Sequence, residues 1–180
     1  IANNVTNNGT WNTTANENTV VYNGTTQNIV QNTYHNLELS GSGNHVLPSQ
    51  TNLLGNLTIN NSTVGFTSKI FNFNGVSDQT INGSNLPSVL DNIIVNKASG
   101  NLTIDHALSV NSLNLTNGTV FVNANKSLRL SNTLSRTNGK IAGTGTVIFE
   151  GPNSIISNLF DSNISNNNIT IEDLIEDLKQ

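Results

Sequence analysis

The chain has 180 residues, of which one in five is Asn and only 10% are charged, and its formal net charge is -4. It contains no Cys, which excludes disulfides, thiolate metal sites and thiol nucleophiles. Its few charges are scattered and no run approaches the ~18 apolar residues that span a membrane, so we expect neither a nucleic-acid partner nor membrane insertion in this segment.

The composition favours an all-β fold. Asn and Gly are typical of turns, whereas Thr, Val and Ile are typical of strands. The hydrophobic fraction is 34%, and these residues recur in short alternating runs, which indicates half-buried strands and not disorder.

Strand-like runs alternate with Asn-Gly, Ser-Gly and Asn-Asn turns at intervals of roughly 8 to 12 residues. In chain order, the predicted strands are 19–22, 34–40, 53–60, 64–67, 70–74, 92–96, 108–115, 119–122, 127–130 and 144–149. Residues 171–180 carry apolar residues at helical spacing, which predicts a short C-terminal helix that serves as a cap or a linker.

The predicted strands recur in a longer pattern. The strands around Val20, Leu37 and Leu57 are answered, about 51 to 56 residues later, by strands of similar character around Phe71, Ile93 and Leu113. This predicts one repeat-built β domain over 1–170, with units at approximately 19–69 and 70–146 and a degenerate unit at 147–170. Both ends resemble parts of a unit and the chain starts at Ile1, so we expect a processed chain or an excerpt from a longer array.

Two folds accept this pattern, a parallel β-solenoid (β-helix) of stacked coils and an antiparallel β-sandwich. The solenoid is favoured because stacked Asn amides at the corners can hydrogen-bond from coil to coil, as amide ladders do in cross-β structures. In either fold, the inward positions of the strands form the core. We predict the following core residues: Leu37, Leu39, Leu57, Ile59, Ile93, Val95, Leu113 and Leu115.

These repeats resemble a known family. The phrases Val21-Tyr22-Asn23-Gly24-Thr25, Tyr34-His35-Asn36-Leu37-Glu38 and Gly55-Asn56-Leu57-Thr58-Ile59 are similar to the repeat modules of very large secreted and cell-surface adhesin-like proteins of Bacteroidetes, which are associated with type IX secretion. The resemblance covers about residues 5–151. It implies an extracellular location and an adhesive or structural role, and it transfers no functional residue.

The sequence contains no pattern typical of a catalytic or metal site. Glycan-active β-helix enzymes need clustered carboxylates, whereas the acids here are mostly ten or more residues apart until the C-terminal segment. His35, His45 and His106 match no metal-ligand spacing, and the adjacent pair Asp105-His106 is better explained as a solvated turn. We therefore predict no catalytic residue, no metal ligand and no cofactor.

Aromatic residues offer few sites for sugar stacking. Trp11, Tyr22 and Tyr34 are candidates with a polar edge, although packing is the favoured role of Trp11. Phe71 and Phe121 occupy strand positions and are expected in the core.

The sequence thus predicts a non-catalytic structural or adhesive module of a bacterial surface protein, forming a stiff stalk or fibre. Its expected partners are neighbouring repeats or copies of the same protein, with surface glycans as a further candidate. A self-assembling filament subunit is the alternative, and a polysaccharide-active enzyme or an ice-binding solenoid is less favoured.

Overall fold

The computed structural model describes residues 11–30, 33–60, 63–150 and 169–171. These residues form an all-β structure in which every strand pair is parallel, and the only helical element among them is one 3-10 turn, Ala15–Glu17. Within the described residues, no helix has the length and apolar character of a membrane span.

Fifteen strands are present in the described part of the chain. They are β1 (Thr19–Tyr22), β2 (Gln27–Asn28), β3 (Thr33–Tyr34), β4 (Asn36–Leu39), β5 (His45–Val46), β6 (Gln50–Leu53), β7 (Leu57–Ile59), β8 (Ile70–Phe73), β9 (Gln79–Asn82), β10 (Val89–Ile104), β11 (Leu108–Val122), β12 (Ser127–Arg136), β13 (Lys140–Gly143), β14 (Thr146–Phe149) and β15 (Ile169–Ile171).

The strands stack in three columns, so the fold is a three-faced parallel β-solenoid of about six turns. The first face contains β1, β4, β7, β9, the C-terminal parts of β10 and β11, and β13. The second face is interrupted: β2 and β5 form a separate two-stranded sheet, and the starts of β10, β11 and β12 continue the face with β14 and β15 in the main sheet. The third face contains β3, β6, β8, the middle of β10 and β11, and the end of β12. This confirms the solenoid and excludes the antiparallel sandwich.

One turn of the solenoid takes about 20 residues, since Leu37 pairs with Leu57 and Leu57 pairs with Ile81. The longer sequence unit of about 51 to 56 residues is not a whole number of turns. Its equivalent positions therefore lie on different faces, with Leu57 on the first and Leu113 on the third. The division into units 19–69, 70–146 and 147–170 stays a prediction.

The core follows from the period of two within each strand. Inward side chains alternate with outward ones, as in the buried–intermediate–buried pattern of β7. All eight predicted core residues lie inside, each with at most 2% of its surface exposed. A single turn cannot enclose these side chains, so each turn depends on its neighbours for burial.

The strand boundaries differ from the predicted ones at the corners. Predicted strand 34–40 is interrupted at His35, and predicted strand 53–60 contains a corner at Leu54–Asn56 between β6 and β7. Residues 64–67 form no strand, whereas β9 and β13 were not predicted. The predicted helix over 171–180 lies outside the described residues except for Ile171, which ends β15.

Candidate functional site

The third face presents two outward columns of side chains along the stack. One column contains Gln50, Ile70, Asn92, Ser112 and Thr133, and the other contains Asn52, Asn72, Ile94, Asn114 and Ser135. Because parallel strands in register lie about 4.8 Å apart, equivalent side chains in a column are spaced by the same distance. The face is therefore a regular polar surface interrupted by two isoleucines.

In the N-terminal half of this face, the polar side chains bind one another. Gln50 Nε2 and Asn72 Nδ2 both donate to Asn52 Oδ1, at 2.9 and 3.1 Å. Asn52 Nδ2 in turn donates to Thr33 Oγ1 at 3.3 Å. This half is a ladder whose hydrogen-bonding groups are directed largely at neighbouring turns.

The C-terminal half contains a groove of about 340 Å³, which we call the third-face groove. It crosses four successive strands of the face, from β8 to β12, a length of about 14 Å along the solenoid axis. The outward side chains that line it are Ile70, Asn92, Ile94, Ser112, Asn114 and Thr133, with Ser135 beyond.

One wall of the third-face groove is formed by Ser68 and Asp91. Asp91 Oδ2 accepts the backbone N–H of Ser68 at 2.5 Å, and Asp91 Oδ1 accepts Nδ2 of Asn111 at 2.7 Å. Both carboxylate oxygens thus have a donor, which fixes the wall and places one negative charge at the groove. No Lys or Arg is among the described residues that line it.

Several polar groups of the third-face groove have no partner elsewhere in the described chain. The hydroxyls of Ser112, Thr133 and Ser135 make no hydrogen bond to any described residue. Asn114 Oδ1 accepts the hydroxyl of Thr116 at 3.3 Å, while Asn114 Nδ2 has no acceptor among those residues. The groove therefore differs from the N-terminal half of the same face, because its donors and acceptors are open to a ligand.

The corners contain the predicted coil-to-coil amide bonds. Asn36 Oδ1 accepts the backbone N–H of Asn56 at 2.7 Å, and Asn56 Oδ1 accepts that of Thr80 at 2.8 Å. Asn138 Nδ2 donates to Asn117 Oδ1 at 3.3 Å on another pair of turns. These contacts confirm that Asn side chains tie successive turns together.

A buried lysine, which the sequence did not reveal, binds the preceding turn at the corner between the third and first faces, and through Gln79 it is linked to a third turn. Lys97 is fully buried, and its Nζ donates to the carbonyl oxygens of Gly75 and Ser77, both at 2.8 Å, and to Gln79 Oε1 at 2.6 Å. Gln79 Nε2 donates to the carbonyl oxygens of Leu53 and Gly55 in the preceding turn.

Burial lowers the pKa of Lys97 to about 8, and the negative charge of Asp78 opposes this shift. All three ammonium protons have acceptors, so the geometry indicates a structural tie. In sequence, Lys97 directly follows predicted strand 92–96, where a lysine is expected on the surface.

The acids and histidines considered from the sequence do not assemble into a site in the described part of the chain. Asp105 Oδ1 accepts Nδ2 of Asn123 at 2.9 Å, whereas neither ring nitrogen of His106 has a hydrogen-bond partner among the described residues. Asp105 and His106 lie in the turn between β10 and β11 as predicted, but both His106 nitrogens are buried, so this turn is less solvated than expected. Within the described residues, no group of three or more His, Cys, Asp or Glu could hold a metal ion.

The tyrosines are unsuitable as sugar platforms. Tyr22 and Tyr34 are both fully buried, their rings are perpendicular, and their hydroxyl oxygens are 3.0 Å apart. Trp11 is partly buried and packs against the core, as predicted. Phe71 lies in the core, but the prediction for Phe121 is wrong, since it points outward between buried Val120 and Val122.

Comparison of the chain with protein-family models, curated proteins and solved structures yields no match. Interpretation of the third-face groove therefore depends on its own geometry and chemistry.

Proposed function

We propose that the chain is a non-catalytic structural and adhesive module of a bacterial extracellular surface protein, in which the solenoid acts as a stiff stalk. The observation that carries this proposal is the stacking itself. About six turns repeat the same parallel pairing on three faces, and apolar columns run along the inside. Each turn contacts mainly its neighbours, so the same architecture extends by addition of turns.

The ties between turns support a mechanical role. Besides the backbone ladders, side chains bind across turns on more than one face, as Asn56 does to Thr80 and Asn72 does to Asn52. Lys97 and Gln79 add an internal tie. A force along the solenoid axis would act on many such bonds at once, which suits a stalk.

The distribution of acids supports a non-catalytic role. Glu38 lies on a different turn from Asp91 and Asp105; Asp91 lies near the start of β10 and Asp105 directly after its end, at different corners of the solenoid. Asp91 and Asp105 already accept hydrogen bonds from neighbouring Asn side chains. A hydrolase or lyase would need two acids, or an acid and a base, close to one bond of the substrate.

The extracellular location rests on the resemblance of the repeats around Tyr22, Leu37 and Leu57 to those of large secreted Bacteroidetes proteins. The partners that fit a stalk are neighbouring repeats of the same protein and the surface to which the cell adheres. A filament built from many copies is the competing function, because parallel turns of two copies could in principle continue one stack. Exposed Lys140 in β13, the last described strand of the first face, disfavours such continuation.

Two measurements on the full chain test the proposal. We expect no reducing ends or unsaturated products after incubation with neutral and acidic polysaccharides, and we expect light scattering to show no growth of assemblies with concentration. Product release that scales with protein concentration would overturn the non-catalytic role. Concentration-dependent fibres would replace the stalk by the filament subunit.

A further inference from the structure

We infer that the third-face groove binds a segment of an uncharged, linear polysaccharide lying along the solenoid axis. The inference deepens the proposed adhesive function and rests on it, because it assigns the adhesive contact to one face of the stalk. It requires no chemistry on the ligand and no metal ion.

The shape of the groove favours an extended ligand. The groove crosses four parallel strands over about 14 Å, and its outward side chains repeat at about 4.8 Å along the axis. A chain of similar units can meet such a surface with similar contacts at each step. A compact small molecule would use only one part of the groove.

The hydrogen-bonding groups of the groove match hydroxyl groups. Ser112, Thr133 and Ser135 each offer a hydroxyl that both donates and accepts, and Asn114 Nδ2 adds a donor. None of these groups has a partner among the described residues, in contrast to Asn52 on the same face, whose amide binds Thr33. A polyhydroxylated ligand supplies donors and acceptors to all of them.

The apolar part of the groove matches the other surface of a sugar. Ile70 and Ile94 point outward yet are half-buried, and they occupy diagonal positions among the polar side chains. The C–H groups of a sugar ring can pack on such aliphatic side chains and remove them from water. A pyranose chain presents both C–H groups and hydroxyl groups, so it can meet the isoleucines and the polar side chains of the groove in turn.

The charge of the groove argues for an uncharged ligand. Its wall carries the carboxylate of Asp91, and no cationic side chain is among its described lining residues. A polyanion such as an acidic polysaccharide would be repelled and would find no counter-charge. The same argument excludes a nucleic acid.

A peptide strand from a second copy fits less well. Strand addition requires an open edge of backbone N–H and C=O groups. In this part of the third face, the backbone of β10 and β11 is paired within the stack, and the groove offers side chains only. Self-association through the groove is therefore an outcome against the inference.

The test uses the full chain and isothermal titration with short linear oligosaccharides. The probes are β-1,4-linked glucose, xylose and mannose oligomers, β-1,3- and α-1,4-linked glucose oligomers, and oligogalacturonate as the acidic comparison. We expect at least one neutral probe to bind with a Kd of about 1 mM or tighter, and oligogalacturonate to bind more weakly.

The variants localise the binding. The double variant Ser112→Ala with Asn114→Ala should bind the neutral oligosaccharide about 25-fold more weakly, because each lost hydrogen bond weakens binding roughly fivefold. Asn114→Trp should block the groove and abolish binding. Thr103→Ala, at an outward half-buried position on the first face, is the matched control and should leave Kd unchanged. Thermal melting of each variant checks that the fold persists.

Several results would overturn the inference. They are the absence of binding to every neutral probe, binding that the groove variants leave unchanged, tighter binding of oligogalacturonate, and dimerisation that Asn114→Trp abolishes. If no probe binds while the chain remains monomeric and releases no product, the ligand assignment fails and the stalk proposal stands.

Discussion

Truncation of one inward leucine should cost far more stability than truncation of its outward neighbour. Leu57 is fully buried in β7, where it stacks between Leu37 of the preceding turn and Ile81 of the next. Leu57→Ala removes its contacts with both turns and leaves a cavity that the flanking strands cannot close without breaking register. Such substitutions cost about 2–5 kcal/mol.

The matched control is Thr58→Ala, one residue further along β7. Thr58 is half-buried and points outward, and its hydroxyl donates to Asn82 Oδ1 at 2.7 Å near the surface. Loss of an exposed hydrogen bond of this kind costs about 1 kcal/mol or less. The two variants therefore differ by about 1–5 kcal/mol although their positions are adjacent.

Thermal unfolding followed by circular dichroism measures the difference. For a chain of this length, each kcal/mol lowers the Tm by about 2–4 °C, so a loss of about 2–5 kcal/mol should make Leu57→Ala melt about 4–20 °C below the wild type. Thr58→Ala should melt within about 4 °C of it. Equal shifts for the two variants, or an unchanged melting curve for Leu57→Asp or Leu113→Asp, would refute the assignment of inward and outward positions.

Three further predictions concern the corners. A Cβ added at Gly43 would lie 0.6 Å from the carbonyl oxygen of Thr25 in the preceding turn, so Gly43→Ala should cost about 3 kcal/mol or more, whereas Gly65→Ala, which meets open space, should change Tm little. The pKa of Lys97 is about 8 in the folded chain and 10.5 in the unfolded chain, so the unfolded chain holds more protons between these values. The wild type should therefore gain stability relative to Lys97→Met as pH rises from about 8 to 10.5, and a constant difference would contradict this. Burial lowers the pKa of His106 in the folded chain, so as pH falls below about 6.5 the unfolded chain binds a proton before the folded chain does. The wild type should therefore lose stability relative to His106→Gln as pH falls through this range. Stability profiles that stay parallel for the two proteins would contradict this prediction.

The inward residues were predictable because the period of two survives within each face. Leu57-Thr58-Ile59 and Leu113-Asn114-Leu115 alternate in sequence, and the structure buries the leucines and the isoleucine. The amide ladders were predictable as a class, since Asn is a poor strand former that gains hydrogen bonds when it is stacked. The inward residues of a single strand can therefore be predicted from a few neighbouring residues in the sequence.

The turn length was not predictable from the same pattern. Alternation continues through the corner at Gly55, so predicted strand 53–60 joined two faces into one strand. Turns also vary in length, from the step between Val20 and Leu37 to the longer step between Leu57 and Ile81. Because the amino-acid sequences of successive turns are only weakly similar, the repeat that stands out in the sequence is the longer unit of about 51 to 56 residues.

The buried lysine and the groove depend on register between turns, which sequence spacing does not give. Lys97 is buried because the corner containing Gly75 and Gln79 lies beside it in the preceding turn. Likewise, Ile94 and Asn114 become neighbours in the groove only through the pairing of β10 with β11. Predicting such sites requires the exact number of residues in each turn.

Single-molecule stretching of the full chain, held by its two ends, tests the stacked stalk most directly. Glu38 and Thr58 face outward on adjacent turns in register, and the chain has no cysteine, so Glu38→Cys with Thr58→Cys should form one disulfide that closes a turn. We predict that the chain resists extension and releases its length in steps, with about 70 Å less released under oxidising than under reducing conditions, since one turn of about 20 residues stays closed. Extension without resistance, or equal released lengths in the two conditions, would contradict the account.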